Sequence, residues 1–261
     1  MVAETETKPA SSEDVWEILK VVVQALAIAF VVRVFLFQPF TIPSGSMEGT
    51  LLVGDYVFVS KYSYGYSKYS FAVPTLFWNE IVPVDFAGRI WPGEPQRGDV
   101  IVFRKPTEPN VDYIKRLVGL PGDEIQVQDG VLYINGKPVL KQSVADHVEF
   151  DSDGNAHKVA QFQETMPNGV KYDVLRRRPE NELNNTGVFK VPPGHYFMMG
   201  DNRDNSSDSR DPNGGVGYVP FENLVGKARI VFFSCDSHCI WFEPWTWPTG
   251  IRWSRLFSLI H

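Results

Sequence analysis

The chain has 261 residues, of which 43% are hydrophobic and 21% are charged. A chain of this length and composition buries a hydrophobic core as one large domain or two small ones, which excludes an intrinsically disordered protein. The formal net charge of −6 argues against nucleic acid as the main partner, because binding to phosphates requires clustered lysine and arginine.

The first predicted element is an apolar helix from Trp16 to Phe37. At 1.5 Å per residue it spans roughly 33 Å, which matches the core of a bilayer. Lys20 and Arg33 interrupt it, and its cleanest run, residues 21–32, also suits a core helix or the centre of a signal peptide. A signal peptide begins with positive charge, whereas acidic residues outnumber lysines here. We therefore interpret the segment as a membrane anchor, although its flanking charges do not define an orientation.

Short alternating apolar runs beyond residue 38 predict β-strands. The run EIQVQDGVLYINGKPV contains two hairpin turns, QDG and NGK, and therefore predicts an antiparallel meander. Residues 144–186 are more polar and lose the alternation, so we interpret them as an insert or small cap. Their basic run, Arg176 to Arg178, is followed by a proline and is interpreted as a solvated loop. Strand signals return from residue 187, in GVFKVPPGHYFMMGDN and LVGKARIVFFS.

A serine-rich turn, IPSGSMEGTLL, directly follows the apolar segment. A serine hydroxyl is a weak nucleophile until a neighbouring base takes its proton, so a catalytic serine needs a base. The histidines have no metal-ligand spacing such as HExxH, although His195 near Asp201 leaves a Ser-His-Asp arrangement open. The five histidines are His147, His157, His195, His238 and His261.

Lys115 is the other candidate base. If DYIKRLV is a strand, Tyr113, Lys115 and Leu117 share one face. Burial among apolar neighbours disfavours the ammonium form and lowers the pKa of a lysine. The pattern permits a catalytic lysine at this position but does not demand one, since a lysine in a strand is usually solvated.

The run GDNRDNSSDSRD, residues 200–211, is dense in short polar side chains. It is typical of a surface turn, and its acids also suggest a calcium loop. Arg203 and Arg210 intrude among the acids, and the bidentate glutamate of such a loop is missing. A network of paired Asp and Arg side chains around a site fits better.

Three segments, in order behind the predicted anchor, together resemble bacterial type I signal peptidase (leader peptidase). They are PSGSMEGTLLVGDYVFVSK, DYIKRLVGLPGD and GDNRDNSSDSR, and the final WPTGIRWSRLFSLIH is also similar to that family's C-terminal end. The similarity covers most of residues 37–261, except for residues 144–186 and the CDSHC region. The resemblance implies a membrane-bound serine endopeptidase that uses a Ser/Lys dyad.

Carried over by position, the resemblance implies Ser46 as the nucleophile and Lys115 as the general base. It implies that Ser44 Oγ and the Ser46 N–H form the oxyanion hole, and that Ser206 hydrogen-bonds the lysine. It further implies structural ion pairs of Asp201 with Arg116 and of Asp208 with Arg210. No cofactor and no metal ion is expected.

The implied substrates are secretory preproteins whose signal peptides end in an Ala-x-Ala type sequence. Such a preprotein lies extended along a strand edge. The residues implied for its shallow S1 and S3 pockets, which core packing would also explain, are Phe40, Ile42, Pro43, Met47, Leu51, Tyr113 and Ile114.

The expected fold class is mainly β, with a transmembrane helix followed by an antiparallel β catalytic domain that carries an inserted smaller cap or β-ribbon region. The expected divisions are a cytoplasmic tail (1–15), the transmembrane helix (16–37) and an extracytoplasmic catalytic domain (38–261), with the insert at about 130–190. The resemblance places a single-pass protein in the cytoplasmic (inner) membrane, with the catalytic domain on the periplasmic side. Aromatic segments such as TLFW, RIWPG and WFEPWTWPTGIRW fit contact with the lipid bilayer.

Two local features depart from the family or lie outside the similarity. The family has proline before the threonine in S-M-x-P-T, where this chain has Gly49, which permits a turn without making it rigid. Cys235 and Cys239 lie close enough in sequence to close a small disulfide loop in an oxidising compartment, whereas zinc would need further ligands beside His238.

Two other functions compete with this interpretation. A soluble self-cleaving repressor uses Ser/Lys chemistry, but it would lack the anchor and carry a DNA-binding helix pair. A tethered binding module without catalysis would have lost Ser46 or Lys115, and both are present.

Overall fold

The computed structural model describes residues 12–71, 73–74, 80–81, 84–150, 156–178, 180–236, 239 and 243–261. Residues 1–11 of the predicted tail (1–15), the TLFW segment (75–78) and His238 lie outside these ranges. The two α-helices are α1 (Ser12–Val31) and α2 (Trp247–Gly250), and a π-helical turn, Val32–Leu36, extends α1. Short 3-10 helices comprise Gly45–Met47, Lys61–Ser63, Lys68–Phe71, Glu182–Asn184, Phe221–Asn223, Pro244–Thr246 and Trp253–Arg255.

The remaining elements are antiparallel β-strands, which confirms the predicted mainly β class. They are β1 (Phe37–Thr41), β2 (Asp55–Ser60), β3 (Val73–Pro74), β4 (Glu80–Ile81), β5 (Val100–Lys105), β6 (Glu108–Gly119), β7 (Glu124–Gln128), β8 (Val131–Ile134), β9 (Lys137–Pro138), β10 (Leu140–Ser143), β11 (His147–Phe150), β12 (Ala156–Thr165), β13 (Lys171–Arg176), β14 (Phe189–Lys190), β15 (His195–Met199), β16 (Tyr218–Pro220), β17 (Leu224–Ser234) and β18 (Ser258–Leu259).

The N-terminal helical segment, Val15–Leu36, is long and apolar enough to cross a membrane, with a mean hydropathy of 2.3. Its apolar side chains face outward, and Leu26 and Ile28 are each 65% exposed, which is unlike a core helix. At its end, Tyr66 Oη donates a 2.7 Å hydrogen bond to the Phe35 carbonyl, and the two rings meet edge to face. Because such a carbonyl has no partner within the helix, the tyrosine both satisfies it and ties the helix to the β domain.

The main sheet runs in the order β1-β2-β17-β5-β6-β15-β16, and β18 pairs with β17. Strand β6 lies inside the sheet, between β5 and β15. Consecutive residues point to opposite faces, so the neighbours Val100 and Ile101 belong to different apolar clusters. Apolar side chains therefore cover both faces of the sheet near β6, the strand that carries the polar residues.

Both predicted hairpins are confirmed. Strands β7 and β8 turn at Asp129 and Gly130, with φ of 47° and 71°. Strands β8 and β9 turn at Asn135 and Gly136, with φ of 52° and 73°. Positive φ at both central residues is the requirement of a type I′ turn, which explains the Asp-Gly and Asn-Gly pairs.

The segment predicted as an insert, residues 144–186, contains strands that alternation did not reveal. Strand β12 pairs with β10, β11 and β13. Tyr172 and Val174 of β13 join an apolar cluster with Val118 and Phe197 of the main sheet. The insert therefore shares its core with the main sheet.

The interpretation of the basic run as a solvated loop is wrong for its first residue. Arg176 is the last residue of β13, and it is half-buried, with Nη1 donating 2.8 Å to the Gly130 carbonyl. Burial lowers its pKa. Arg177 and Arg178 are exposed, as expected of a loop.

A buried ion pair also joins the insert to the main domain. Arg203 donates from both terminal nitrogens to Glu164, at 2.8 and 2.5 Å, and Tyr172 Oη donates to the same carboxylate at 2.7 Å. Burial alone would raise the pKa of Glu164, but attraction to Arg203 and the hydrogen bonds lower it. The carboxylate therefore stays ionised in the interior.

We predict that Glu164→Ala lowers the free energy of unfolding by about 3–5 kcal/mol, because it leaves the Arg203 charge buried and unpaired. Urea denaturation of the detergent-solubilised protein measures this. Glu124→Ala is the matched control, since its ion pair with Lys190 is exposed and such pairs contribute about 0–1 kcal/mol. Equal midpoints for the two variants would contradict a stabilising role for the buried pair.

Candidate active site

The serine-rich turn forms a short 3-10 helix, Gly45–Met47, that presents Ser46. The amides of Thr50 and Leu51 both donate to the Met47 carbonyl, at 2.9 and 2.8 Å. Met47 and Leu51 are completely buried. The turn is thus anchored by its apolar side chains, while Ser46, which is 8% exposed, lines a cavity.

Strand β6 brings Lys115 to the same point. Lys115 Nζ lies 2.6 Å from Ser46 Oγ and donates 3.0 Å to the Ile114 carbonyl, and it sits 5.3 Å from the Tyr113 ring centroid. Lys115 is 3% exposed. Burial lowers the pKa of Lys115 to about 8, although the negative charges of Asp208 and Asp201 oppose the change. This amounts to about 3 kcal/mol against the ammonium form, so the amine is able to accept a proton near neutral pH.

The pair opens into a cavity of about 370 Å³. Pro43, Tyr113 and Ile114 line it, as predicted for the substrate pockets. Ser44 is also there, exposed, and makes no capping hydrogen bond to the turn. Val111, Asp112, Asn205 and Ser207 also line the cavity and were not predicted, although the last three lie within the DYIKRLV and GDNRDNSSDSRD segments.

Four other residues predicted for the substrate pockets pack in or against the apolar core. Ile42, Met47 and Leu51 are at most 2% exposed and belong to one apolar core cluster, and Phe40 packs against that cluster. None of the four lines the cavity. Core packing is therefore observed for these residues, and their additional role in a substrate pocket stays a prediction.

The hydrogen bond expected between Ser206 and Lys115 is not formed. Ser206 Oγ is buried and has no hydrogen-bond partner among the described residues. Lys115 instead directs its amine toward Ser46 and its own strand. Ser206 packs beside Gly200, where an added Cβ would also come within 2.5 Å of the Ser46 carbonyl oxygen. The glycine therefore allows the loop to approach Ser46 closely.

The two Asp-Arg pairs of the polar loop lie behind the site. Arg116 Nε and Nη2 donate to Asp201 at 2.8 Å each, and Arg210 Nη2 donates to Asp208 at 2.8 Å. All four side chains are buried. Burial alone would raise the pKa of Asp208, but Arg210 lowers it. These carboxylates are balanced by arginines, and no cluster suited to a metal ion occurs in the described part of the chain.

The alternative histidine base lies far from the serine turn. His195 is the first residue of β15, and its Nδ1 lies 2.9 Å from the Pro193 carbonyl. At about 3.3 Å per residue, the strand carries the chain about 20 Å before it reaches Asp201. The geometry therefore gives no support to a Ser-His-Asp arrangement.

The two cysteines are paired with each other, with their Cα atoms 6.1 Å apart. Cys235 N–H donates to the Gly54 carbonyl at 3.0 Å, and the Asp236 N–H donates to the Gly250 carbonyl at 3.1 Å. The loop therefore joins the segment after Leu51 to the C-terminal region. His238, considered as a zinc ligand, lies outside the described residues.

The chain is similar in sequence to proteins of a known family. The profile of the family described as "Signal peptidase, peptidase S26" matches residues 15–233. Proteins named Signal peptidase I from Rickettsia typhi and Rickettsia canadensis are each 42% identical, and the alignments cover 90% and 98% of this chain and 90% and 96% of those proteins. A crystal structure of a signal peptidase I from Enterococcus faecalis is similar at 28% identity and a TM-score of 0.30, covering 51% of this chain and 96% of that one.

We predict that the purified, unreduced protein has no thiol that reacts with a thiol reagent under denaturing conditions, and two after reduction. The reason is that Cys235 and Cys239 account for both cysteines of the chain. Two reactive thiols before reduction would contradict the disulfide.

Proposed function

The chain belongs to the signal peptidase family, peptidase S26, and we propose that it is a membrane-anchored endopeptidase in which Ser46 and Lys115 cleave signal peptides from secretory preproteins. The observation that carries this proposal is the 2.6 Å separation of Lys115 Nζ and Ser46 Oγ at the wall of an open cavity. A nucleophile needs a base within hydrogen-bond reach, and this base has a lowered pKa.

In the first half of the reaction, neutral Lys115 takes the Ser46 Oγ proton while Oγ attacks the scissile carbonyl carbon. The carbonyl oxygen becomes an oxyanion, for which Ser44 Oγ and the Ser46 N–H are the proposed donors. When the tetrahedral intermediate collapses, the C–N bond breaks and the Lys115 ammonium returns its proton to the leaving amine. The mature protein departs, and the signal peptide remains as an ester on Ser46.

The second half repeats these roles with water. Lys115 is neutral again and takes a proton from a water molecule that attacks the ester carbonyl. The second intermediate collapses, Ser46 recovers its proton from Lys115, and the signal peptide leaves with a free carboxylate. One water is consumed per peptide bond, and no cofactor is required.

The strand pairing supports an extended substrate. Strand β6 pairs with β5 along residues 108–116, but β15 pairs with it only from Arg116 onward. Strand β15 therefore does not pair with Tyr113 or Ile114, and both residues line the cavity together with Pro43. We propose that the preprotein adds here as a β-strand and places small, Ala-x-Ala type side chains in the cavity.

The helix Val15–Leu36 is the proposed single-pass anchor in the cytoplasmic membrane, between a cytoplasmic tail and a catalytic domain on the outer side. Large exposed aromatic side chains support contact of that domain with the bilayer surface, since amphipathic rings favour the headgroup region. Among them are Trp91, Trp245, Trp253 and Phe257, at 62–80% exposure. We further propose that residues 38–261 form the catalytic domain.

We predict that the wild type cleaves a detergent-solubilised preprotein after a small residue, and that Ser46→Ala and Lys115→Ala each reduce cleavage at least 10³-fold, since removing a triad-type nucleophile or base has effects of this size or larger. Sequencing of the released N-terminus identifies the bond. Lys105→Ala is the control, because that lysine is paired with Glu108.

Persistent cleavage by Lys115→Ala would refute the proposed base. A wild type that binds preprotein without cutting it would favour a binding module over an enzyme.

We predict that kcat/KM rises with pH and levels off above about 8, because Lys115 accepts the serine proton only after losing its own. Initial rates measured between about pH 6 and 10 test this. Lys105→Ala should keep the same profile, since the hydrogen bond to Glu108 raises the pKa of Lys105. A rate that falls as pH rises through 8 would contradict a lysine base.

A further inference from the structure

The turn that carries Ser46 depends on the backbone conformation of Gly49. Gly49 has φ of +118°, a region that glycine adopts readily and other residues do not. Proline fixes φ near −65°, so it would not fit this turn. Glycine also leaves the unfolded chain more freedom, which means that the order of the turn has to come from contacts with other segments.

Asn202 supplies the first of these contacts. Its side-chain Nδ2 donates 2.9 Å to the Gly45 carbonyl, and its backbone N–H donates 3.1 Å to the Ser46 carbonyl. The side chain is completely buried. One residue of the polar loop therefore holds two consecutive carbonyls of the nucleophile turn.

Glu48 and Arg177 complete a closed ring with Asn202. Glu48 Oε2 accepts from Asn202 Nδ2 at 3.3 Å and from Arg177 Nη2 at 2.8 Å. Arg177 Nε in turn donates to Asn202 Oδ1 at 3.4 Å. The carboxylate and the guanidinium thus engage the two ends of the same amide, which fixes the orientation of the group that binds the Ser46 turn.

The polar loop, residues 200–211, holds the backbone of Arg177 and its neighbours in the insert. The N–H groups of Arg177 and Arg178 donate to the Asp204 carboxylate at 2.7 and 2.8 Å. Leu175 pairs with the polar loop through its own backbone, donating to the Asp201 carbonyl at 2.9 Å. The insert also approaches the turn directly, because a Cβ on Gly49 would lie 3.1 Å from the Asp173 carbonyl oxygen.

We propose that Glu48, Arg177 and Asn202 are positioning residues for the Ser46 nucleophile, and that the insert acts through Arg177 to keep the turn in its reactive geometry. The proposal rests on the proposed role of Ser46. The side chains of Glu48 and Arg177 are 22% and 29% exposed, so their ion pair contributes little to overall stability. Misplacement of a nucleophile by about 1 Å nonetheless costs up to about 100-fold in rate.

The test measures preprotein cleavage by Glu48→Ala, Arg177→Ala and the double variant in the full-length protein. We expect kcat to fall about 10-fold or more in each single variant, with KM within about twofold and the melting temperature within about 2 °C. The kcat of the double variant should be no lower than that of the less active single variant, because either substitution opens the same ring. Glu48→Gln keeps the acceptor for Asn202 and should retain an intermediate rate. Arg178→Ala is the matched control and should cleave like the wild type.

Hydrogen exchange gives a readout that does not require activity. The Thr50 and Leu51 amides are bonded within the turn, so Glu48→Ala and Arg177→Ala should make them exchange faster, whereas Arg178→Ala should not. Unchanged exchange, an unchanged kcat, or losses that add in the double variant would each overturn the proposal. Cleavage that survives in Ser46→Ala would instead reject the proposed function, while the exchange rates still decide whether the ring orders the turn.

Discussion

The buried ion pair of Arg116 and Asp201 is the interaction on which the rest of the site depends. Arg116 donates to Asp201 from two nitrogens, to the Gly98 carbonyl at 2.7 Å and to the His261 carbonyl at 2.9 Å. Its guanidinium lies 4.2 Å from the Tyr172 ring centroid. The pair therefore joins β6, the polar loop, the insert and the C-terminal segment. Thr50 Oγ1 also donates a 2.6 Å hydrogen bond to Asp201, which links the Ser46 turn to the pair.

Two adjacent cations of β6 meet opposite environments because a strand alternates its faces. Arg116 has a carboxylate in direct contact and remains charged in the interior. Lys115 has no carboxylate in direct contact among the described residues, and burial lowers its pKa to about 8, with Asp208 and Asp201 acting only through space. The same strand thus supplies a permanent charge for structure and a titratable amine for chemistry. Removing both charges of a buried ion pair from water is costly, so the pair is stable only if its hydrogen bonds are satisfied.

Local chemistry made part of this structure predictable. The Asp-Gly and Asn-Gly turns and the alternation in β6 depend on neighbouring residues, and they were identified correctly. The pairing of Lys115 with Ser46 followed from the family resemblance, since periodicity left that lysine open to a solvated role. Met47 and Leu51 were assigned to the substrate pockets with core packing as a compatible role, and the structure shows that packing. The contact of Glu48 with Arg177 joins residues 129 positions apart, and no local pattern in the sequence indicates it.

Gly49 has a consequence for how this site could change during evolution. Gly49 has φ of +118°, and a Cβ at this position would lie 3.1 Å from the Asp173 carbonyl oxygen, so the turn favours glycine. The proline that the related motif carries needs φ near −65°, about half a rotation away. A Gly49→Pro substitution on its own would therefore misfold the turn. Position 49 and strand β13 of the insert are expected to be inherited together, and to be replaced together in lineages that use the proline.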